Sequence, residues 1–403
     1  MSQQQPNPPR IISTAGPFGP GVRFREADGA RGSGLGAPVI RGVHTSIAAF
    51  VGDARGLPGR PAYVRHPQEF IEAFSHRRTR EDARSHVHDA VLGHFRNGGG
   101  GVWVIGADEG AAAGTAGEGD RVAAYRSALA RLARLPEITL VVAPDLWRVP
   151  ADTDGIAREI AGHCARLGDR VGLLHTRQGL APADVRGRPF ELAEPEAQFV
   201  AVHYPWLTVT EPGGAERLVP PSGHVSGLCC RVDTERGVHA APVGALVGVV
   251  KQEWELTDQE QGAIAEQGLN GTGFVAGQGI RVSTARTLST ESGWSALAVR
   301  RLVNHARASL RQGTWWAAHE SNTAPLRALV CQSATAFLRG LWRQGALPGA
   351  SAAEAFEVVC DETNNSAQDT ARGRLNLDVG LATVRSAGFV TFRIQHDAGH
   401  RTP

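Results

Sequence analysis

Lysine is almost missing from these 403 residues: Lys251 stands alone, and arginine carries nearly all the positive charge. Basic and acidic side chains number 42 and 40, so the formal net charge of +2 excludes a global electrostatic pull toward nucleic acid or an anionic membrane. No apolar run approaches the roughly 20 residues that span a bilayer, which argues against direct membrane insertion. Residues 1–21 lack the basic, apolar, small-residue succession of a secretory leader, and the expectation is a chain made and kept in the cytoplasm. The cysteines are few and odd in number: Cys164, Cys229, Cys230, Cys331 and Cys360 form neither CxxC nor a Cys/His cluster at metal-ligand spacing, so they read as reduced core thiols.

Signatures of chemistry are equally scarce. Gly98 to Gly101 lies between a helical and a strand pattern with no Gly-Lys-Ser/Thr after it, so it is a loop and not a phosphate cradle. The stretch Gly271-Thr272-Gly273-Phe274-Val275-Ala276 has the letters of a dinucleotide fingerprint, but it precedes a strand instead of joining strand to helix. His86, His88 and His94 are spaced so that three imidazoles do not share one helical face. No Gly-x-Ser-x-Gly elbow occurs, and nothing in the order of Ser, His and Asp marks a triad. The expectation is therefore no catalytic residue, no metal and no cofactor.

What is present is a long chain, enough for two or three cores. Residues 1–19 carry little periodicity and read as an arm, followed by Val22 and Phe24 alternating with arginines as in a strand with one apolar face. After the glycine-rich loop at 29–38, apolar runs at 45–52, 102–106, 138–143, 171–174 and 199–203 alternate with helical patterns at 67–74, 82–95, 121–135 and 155–167. Short, nearly continuous apolar strands alternating with helices predict a parallel α/β layer, interrupted by a surface loop at 108–120. Beyond 205 the texture turns to Pro/Gly turns, then a capping box from Thr257 to Glu260 that starts a short helix.

A second domain is expected from about 270, with strands at 280–285 and 314–319, and helices at 298–311 and 325–344 stopped by Gly313 and Gly345. Strands at 356–360, 374–382 and 389–394 close it, and in the last one Val390, Phe392 and Ile394 share a face. In the helix at 298–311, Val299, Leu302, Val303, Ala306 and Leu310 form the apolar stripe, while Arg300, Arg301, Arg307 and Arg311 lie off it. Those four arginines read either as a solvated basic face or as a docking surface for carboxylates.

Several blocks, in one order, resemble the contractile tail sheath family of phage tails, R-type pyocins and extracellular injection particles. They are Pro20-Gly21-Val22, Val43-His44-Thr45-Ser46-Ile47-Ala48-Ala49-Phe50-Val51-Gly52, Tyr204-Pro205-Trp206-Leu207, the run from Val219 to Gly227, and that from Arg236 to Pro242. Gly279-Ile280-Arg281-Val282, Ala285-Arg286-Thr287-Leu288, the run from Phe337 to Leu347, and Cys360-Asp361-Glu362-Thr363-Asn364 complete the set. The resemblance covers residues 20–394, with the loop at 108–120 outside it. It implies an α/β domain of subtilisin-like topology without protease activity, plus a conserved α+β C-terminal sheath domain, with extended N- and C-terminal arms. In this chain that division becomes an N-terminal arm with an exchange strand at 1–28, the α/β sheath domain at 29–269, the C-terminal sheath domain at 270–387, and a C-terminal exchange strand and tail at 388–403.

The implied function is a structural subunit of a contractile sheath, not an enzyme. Six subunits form a disc around an inner tube, discs stack helically, and contraction proceeds from a metastable extended state. The implied partners are other copies of the chain, an inner tube protein, baseplate proteins and a tail-terminator or cap protein, within a phage tail or phage-tail-like particle, with no nucleic acid. Val22, Phe24, Val390, Phe392 and Ile394 are the candidates for strand exchange between subunits, each strand flanked by a small-residue stretch at 29–36 or 385–388. The face of Arg300, Arg301, Arg307 and Arg311 is the candidate tube contact. From other classes, a soluble α/β hydrolase-like enzyme and a non-contractile tail adaptor remain as alternatives.

Overall fold

A computed structural model of the chain describes residues 37–52, 57–74, 85–107, 120–210, 213–383 and 389–397. Val22 and Phe24 lie outside the described residues, as do most of the loop at 108–120 and the stretch at 384–388. From Ala37 onward the chain forms one compact unit.

The first layer opens with β1 (Ala48–Gly52), β2 (Ala62–Val64), α1 (Pro67–Phe74), α2 (Val87–Arg96), β3 (Val102–Gly106), α3 (Asp120–Leu132) and β4 (Leu140–Val142). It continues with α4 (Thr153–Leu167), β5 (Val171–His175), α5 (Glu194–Ala197), β6 (Val200–Tyr204), β7 (Leu207–Thr210), β8 (Glu216–Val219), α6 (Ser222–Arg236), β9 (Gly244–Ala245), β10 (Val249–Gln252), α7 (Asp258–Glu266), β11 (Leu269–Val275) and β12 (Gly279–Val282). Among the described residues these strands build a nine-stranded sheet in the order β2-β3-β1-β4-β5-β6-β11-β12-β9 and a three-stranded sheet β10-β7-β8. The run from β3 to β11 is parallel throughout, as expected for strands joined by helical crossovers.

Successive side chains of a strand point to opposite faces, and β1 shows it: Ala49 and Val51 enter one core with Tyr125, Leu129, Ile156 and Ile160, whereas Ala48 and Phe50 enter another with Val87, Val91, Val225 and Cys229. Burial on both faces is why these strands read as continuous apolar runs. In α7 the expected capping box is present: Thr257 Oγ1 accepts from the Glu260 amide at 3.3 Å, and Glu260 Oε2 accepts from the Thr257 amide at 2.8 Å.

The boundary near 270 needs correction. Leu269, Asn270 and Gly271 pair in parallel with Val202, His203 and Tyr204, and β12 pairs back onto β11, so the sheet runs through Val282. At Gly271 the strand packs closely on α7, where an added Cβ would lie 3.0 Å from Ile264 Cδ1.

The second layer holds α8 (Leu297–Gly313), α9 (Ala324–Arg343), α10 (Ala352–Ala355), β13 (Phe356–Val359), α11 (Ala367–Ala371), β14 (Arg374–Ala382) and β15 (Phe389–Asp397). The strands form an antiparallel sheet β13-β14-β15, and one of its faces shares a core with α8 and α9 through Leu302, Leu310, Val330, Leu338, Leu377 and Ile394. The Thr323 hydroxyl caps the start of α9, Pro325 sits in its first turn, and Gly345 in the left-handed region follows its end. The strand expected at 314–319 is instead a 3-10 helix, Trp315–His319. Its aromatic and β-branched letters favour a strand, but the Thr314 amide bonds back to Leu310 O at 2.9 Å and carries the helical turn onward.

Candidate functional site

β14 lies at the centre of the C-terminal sheet, and Leu375, Leu377, Val379 and Leu381 face inward from it. β15 pairs with it in unbroken antiparallel register over nine residues, from Arg374 opposite Asp397 to Ala382 opposite Phe389. Along β15, Val390, Ile394 and His396 are buried and Phe392 is half-buried, while Phe389, Thr391, Arg393, Gln395 and Asp397 are exposed. The structure thus brings Val390, Phe392 and Ile394 together on one apolar face, resting on the chain's own core. Among the described residues no strand pairs with the outer edge of β15, which leaves a row of backbone donors and acceptors available.

Cross-strand charges set the register. Arg393 stands opposite Asp378 and grips it with two bonds of 2.6 and 2.7 Å, and this pairing leads the factors that hold the Asp378 carboxyl below its ordinary range. The side chains are well exposed, so the pair specifies alignment more than it stabilises. At the other end of β14 an asparagine cluster ties down the loop after β13. Asn364 Nδ2 donates to Val359 O at 2.9 Å, Asn365 and Asn376 exchange bonds of 2.8 and 2.9 Å, and Asn322 donates to Arg374 O. These asparagines surround the Cys360-Asp361-Glu362-Thr363-Asn364 block, whose Asp361 accepts from the Thr363 amide at 2.8 Å. The letters marked the block; its fastening role is legible only in three dimensions.

The four arginines of α8 do not make one basic face. Arg300 is buried, its guanidinium over the rings of Phe199 at 4.4 Å and Trp294 at 4.1 Å and donating to Gln198 at 2.7 Å. Desolvation is the first cause, and Arg307 the second, that draws it down to about 9. Arg301 is buried against Asp233, with bonds of 2.9 and 2.6 Å, and also donates to Thr45 O at 3.2 Å. Arg307 is half-buried, and only Arg311 is exposed, 3.6 Å from Asp169. A single apolar stripe presumes that a helix is covered on one side; α8 is covered by the C-terminal core on one side and by the α/β layer on the other. Its off-stripe arginines therefore become joints, and Asp233 is the partner that sequence reasoning missed.

The histidines divide in the same way. His94 is buried between Ser226 Oγ at 2.8 Å and Gly100 O at 3.2 Å, His88 lies against Phe70, and His86 lies edge-on to Trp206. Among the described residues no three His, Cys, Asp or Glu side chains are grouped to hold a metal. Ser222 Oγ approaches His175 Nδ1 at 3.3 Å, but both side chains are fully buried, and burial pushes the His175 imidazole down to about 3. The ring also lies edge-on to Trp206 at 5.5 Å.

Comparison with known proteins connects the C-terminal layer to a family. Residues 289–396 match the family model described as the phage tail sheath C-terminal domain. The chain is 26% identical over 180 residues to the tail sheath protein of Vibrio phage KVP40 and 23% identical over 180 residues to that of Enterobacteria phage T4. Each match takes in 43% of this chain and 26% of the relative, so the chain matches about a quarter of the length of these relatives. In structure it is similar to the sheath complex of the PVC extracellular contractile injection system in the contracted state (TM-score 0.69, 22% identity), covering 95% of this chain and 99% of that one. It is also similar to the helical sheath of the anti-feeding prophage in the contracted state (TM-score 0.69, 23% identity), covering 96% and 100%. The sequence thus resembles the contractile tail sheath family in its C-terminal domain, and the fold does so over nearly its whole length.

Proposed function

We propose that this chain is a structural subunit of a contractile sheath in a phage tail or phage-tail-like injection particle, acting without catalysis. The observation that carries the reading is the edge of the C-terminal sheet: a nine-residue strand, apolar on one face and, among the described residues, unpaired on its outer side, within a stretch matched to the sheath C-terminal domain. In this reading six copies form a disc around an inner tube, discs stack helically, and contraction releases a metastable extended arrangement. The α/β layer corresponds to the family's subtilisin-like domain. Other copies, an inner tube protein, baseplate proteins and a cap protein are the partners, and assembly takes place in the cytoplasm.

Strand exchange supplies the mesh. β15 leaving its own β14 for a neighbour's reforms the same nine register pairs, so the exchange is close to neutral in hydrogen bonds, and Val390, Phe392 and Ile394 rebury the same face. The outer edge of the delivered strand then accepts the segment carrying Val22 and Phe24, adding about 0.5–1.5 kcal/mol per hydrogen bond. The tube contact, if α8 supplies it, falls to Arg311 and to the accessible part of Arg307, since Arg300 and Arg301 are engaged inside the subunit.

Electron microscopy of purified protein with its partners should show striated tubes. Deletion of residues 1–26, or of 388–403, should abolish sheath assembly while leaving a folded body by circular dichroism. An intact sheath after either deletion would remove strand exchange, and a monodisperse monomer in the presence of all partners would remove the sheath reading itself.

A further inference from the structure

We propose that His396 is a proton-operated latch that fastens the C-terminal end of β15 to the body and releases it on acidification. His396 is the last inward-facing residue of the strand and is 2% exposed. Its Nε2 lies 2.7 Å from Thr314 Oγ1. The Thr314 hydroxyl also lies 2.7 Å from Leu310 O, to which it can donate while accepting from the ring. Trp315, edge-on at 6.1 Å, covers the ring. Of the inward side chains of β15, this is the one with a polar bond to the body; Val390, Phe392 and Ile394 rest on apolar contact alone.

The charged surroundings decide what a proton does there. From α8 comes Arg311, which repels a positive ring and is itself 3.6 Å from Asp169. From the 3-10 helix comes His319, edge-on to the exposed Trp315 at 6.0 Å. From β14 comes Arg374, which holds Asp397, the one carboxylate that favours a positive ring, at 3.4 Å. Burial is the largest influence, Arg311 adds to it, and Asp397 opposes both, so the docked ring takes up a proton less readily than a free one. A ring released with the strand end regains its ordinary affinity near pH 6.5. Above that pH both states are neutral and the latch is fully closed. As pH falls through 6.5, the released end binds protons that the docked end refuses, and opening is favoured. The consequence for assembly, that acid primes β15 for donation to a neighbour, rests on the strand-exchange reading above.

Hydrogen exchange of the full chain between about pH 5 and 7.5, corrected for intrinsic chemistry, reads the latch through the peptide containing β15, with peptides from β1 and β3 reporting global opening. Opening of β15 should rise by about threefold or more toward pH 5, and at each pH it should exceed the opening that the reference peptides report. In His396→Gln, whose amide can still donate to Thr314 but does not titrate, the slope should vanish. A flat wild-type profile, or an unchanged slope in His396→Gln, overturns the latch. If that variant fails to fold, the NMR titration of the wild-type imidazole decides: a midpoint below 6.5 supports the latch, and one at or above 6.5 overturns it. Acid opening of β15 in a chain whose 388–403 deletion still builds sheath would keep the latch and discard strand exchange.

Discussion

The nine-stranded sheet is covered on both faces and ends on short strands, three residues in β2 and two in β9; the C-terminal sheet is covered on one face, and its edge strand β15 runs for nine. A long, regular, half-apolar edge invites pairing with another chain, and proteins that must stay monomeric blunt such edges. Here the blunting is confined to the body. The contrast extends to what holds the parts together: the body is fastened by apolar packing on two faces, whereas polar joints along α8 help moor the second layer to it, namely Arg300, Arg301, Arg311 and Asn304, which donates to Arg170 O at 3.2 Å.

Acid should break this contrast most strongly, and from the body's side. His94, His203 and His224 are held to about 4 and His175 to about 3, each chiefly by burial. Their folded values lie below the unfolded one, so their stabilising effect is complete above about pH 6.5. It is lost as pH falls toward the folded values, at about 1.4 kcal/mol per histidine per pH unit. Urea midpoints should drop steeply from pH 7 to pH 5, and a level profile would contradict the buried-histidine description. Next in size is Asp233→Ala, which strands the Arg301 guanidinium and should cost about 3–5 kcal/mol in denaturant unfolding. A loss below about 1 kcal/mol would mean that the joint does not fasten the two layers.

Ile394→Ala should cost about 2–5 kcal/mol, chiefly as lost exchange protection in β15, whereas Leu174→Ala, of similar size, should lower protection throughout the body. Equal spreading of both effects would erase the distinction between the regions. The smallest change is Thr257→Ala, which removes a surface cap, at about 1 kcal/mol by thermal unfolding.

Legibility followed coverage. The strand Val102–Gly106 and the helix Pro67–Phe74 were readable to the residue, because one period and one environment governed each. β14 was equally readable, since Leu375, Leu377, Val379 and Leu381 alternate across a sheet with one buried face. The small strands β7, β8 and β10 hid among turn residues, because pairs of four-residue strands leave almost no periodic signal. Arg300 and Arg301 were misplaced for a deeper reason: a guanidinium enters a protein interior when rings or a carboxylate await it, and Phe199, Trp294 and Asp233 come from distant parts of the chain. His396 gave no signal of its own, since its meaning depends on a hydroxyl 82 residues away.

The unbroken ladder between β14 and β15 has a mechanical side. Traction along the strand axis loads all the ladder's hydrogen bonds together, whereas lifting one end parts them in turn, so the same bonds form a strong rope in shear and a zipper in peel. A filament woven from such ladders would bear violent axial strokes yet could still be threaded, one tooth at a time, during its construction.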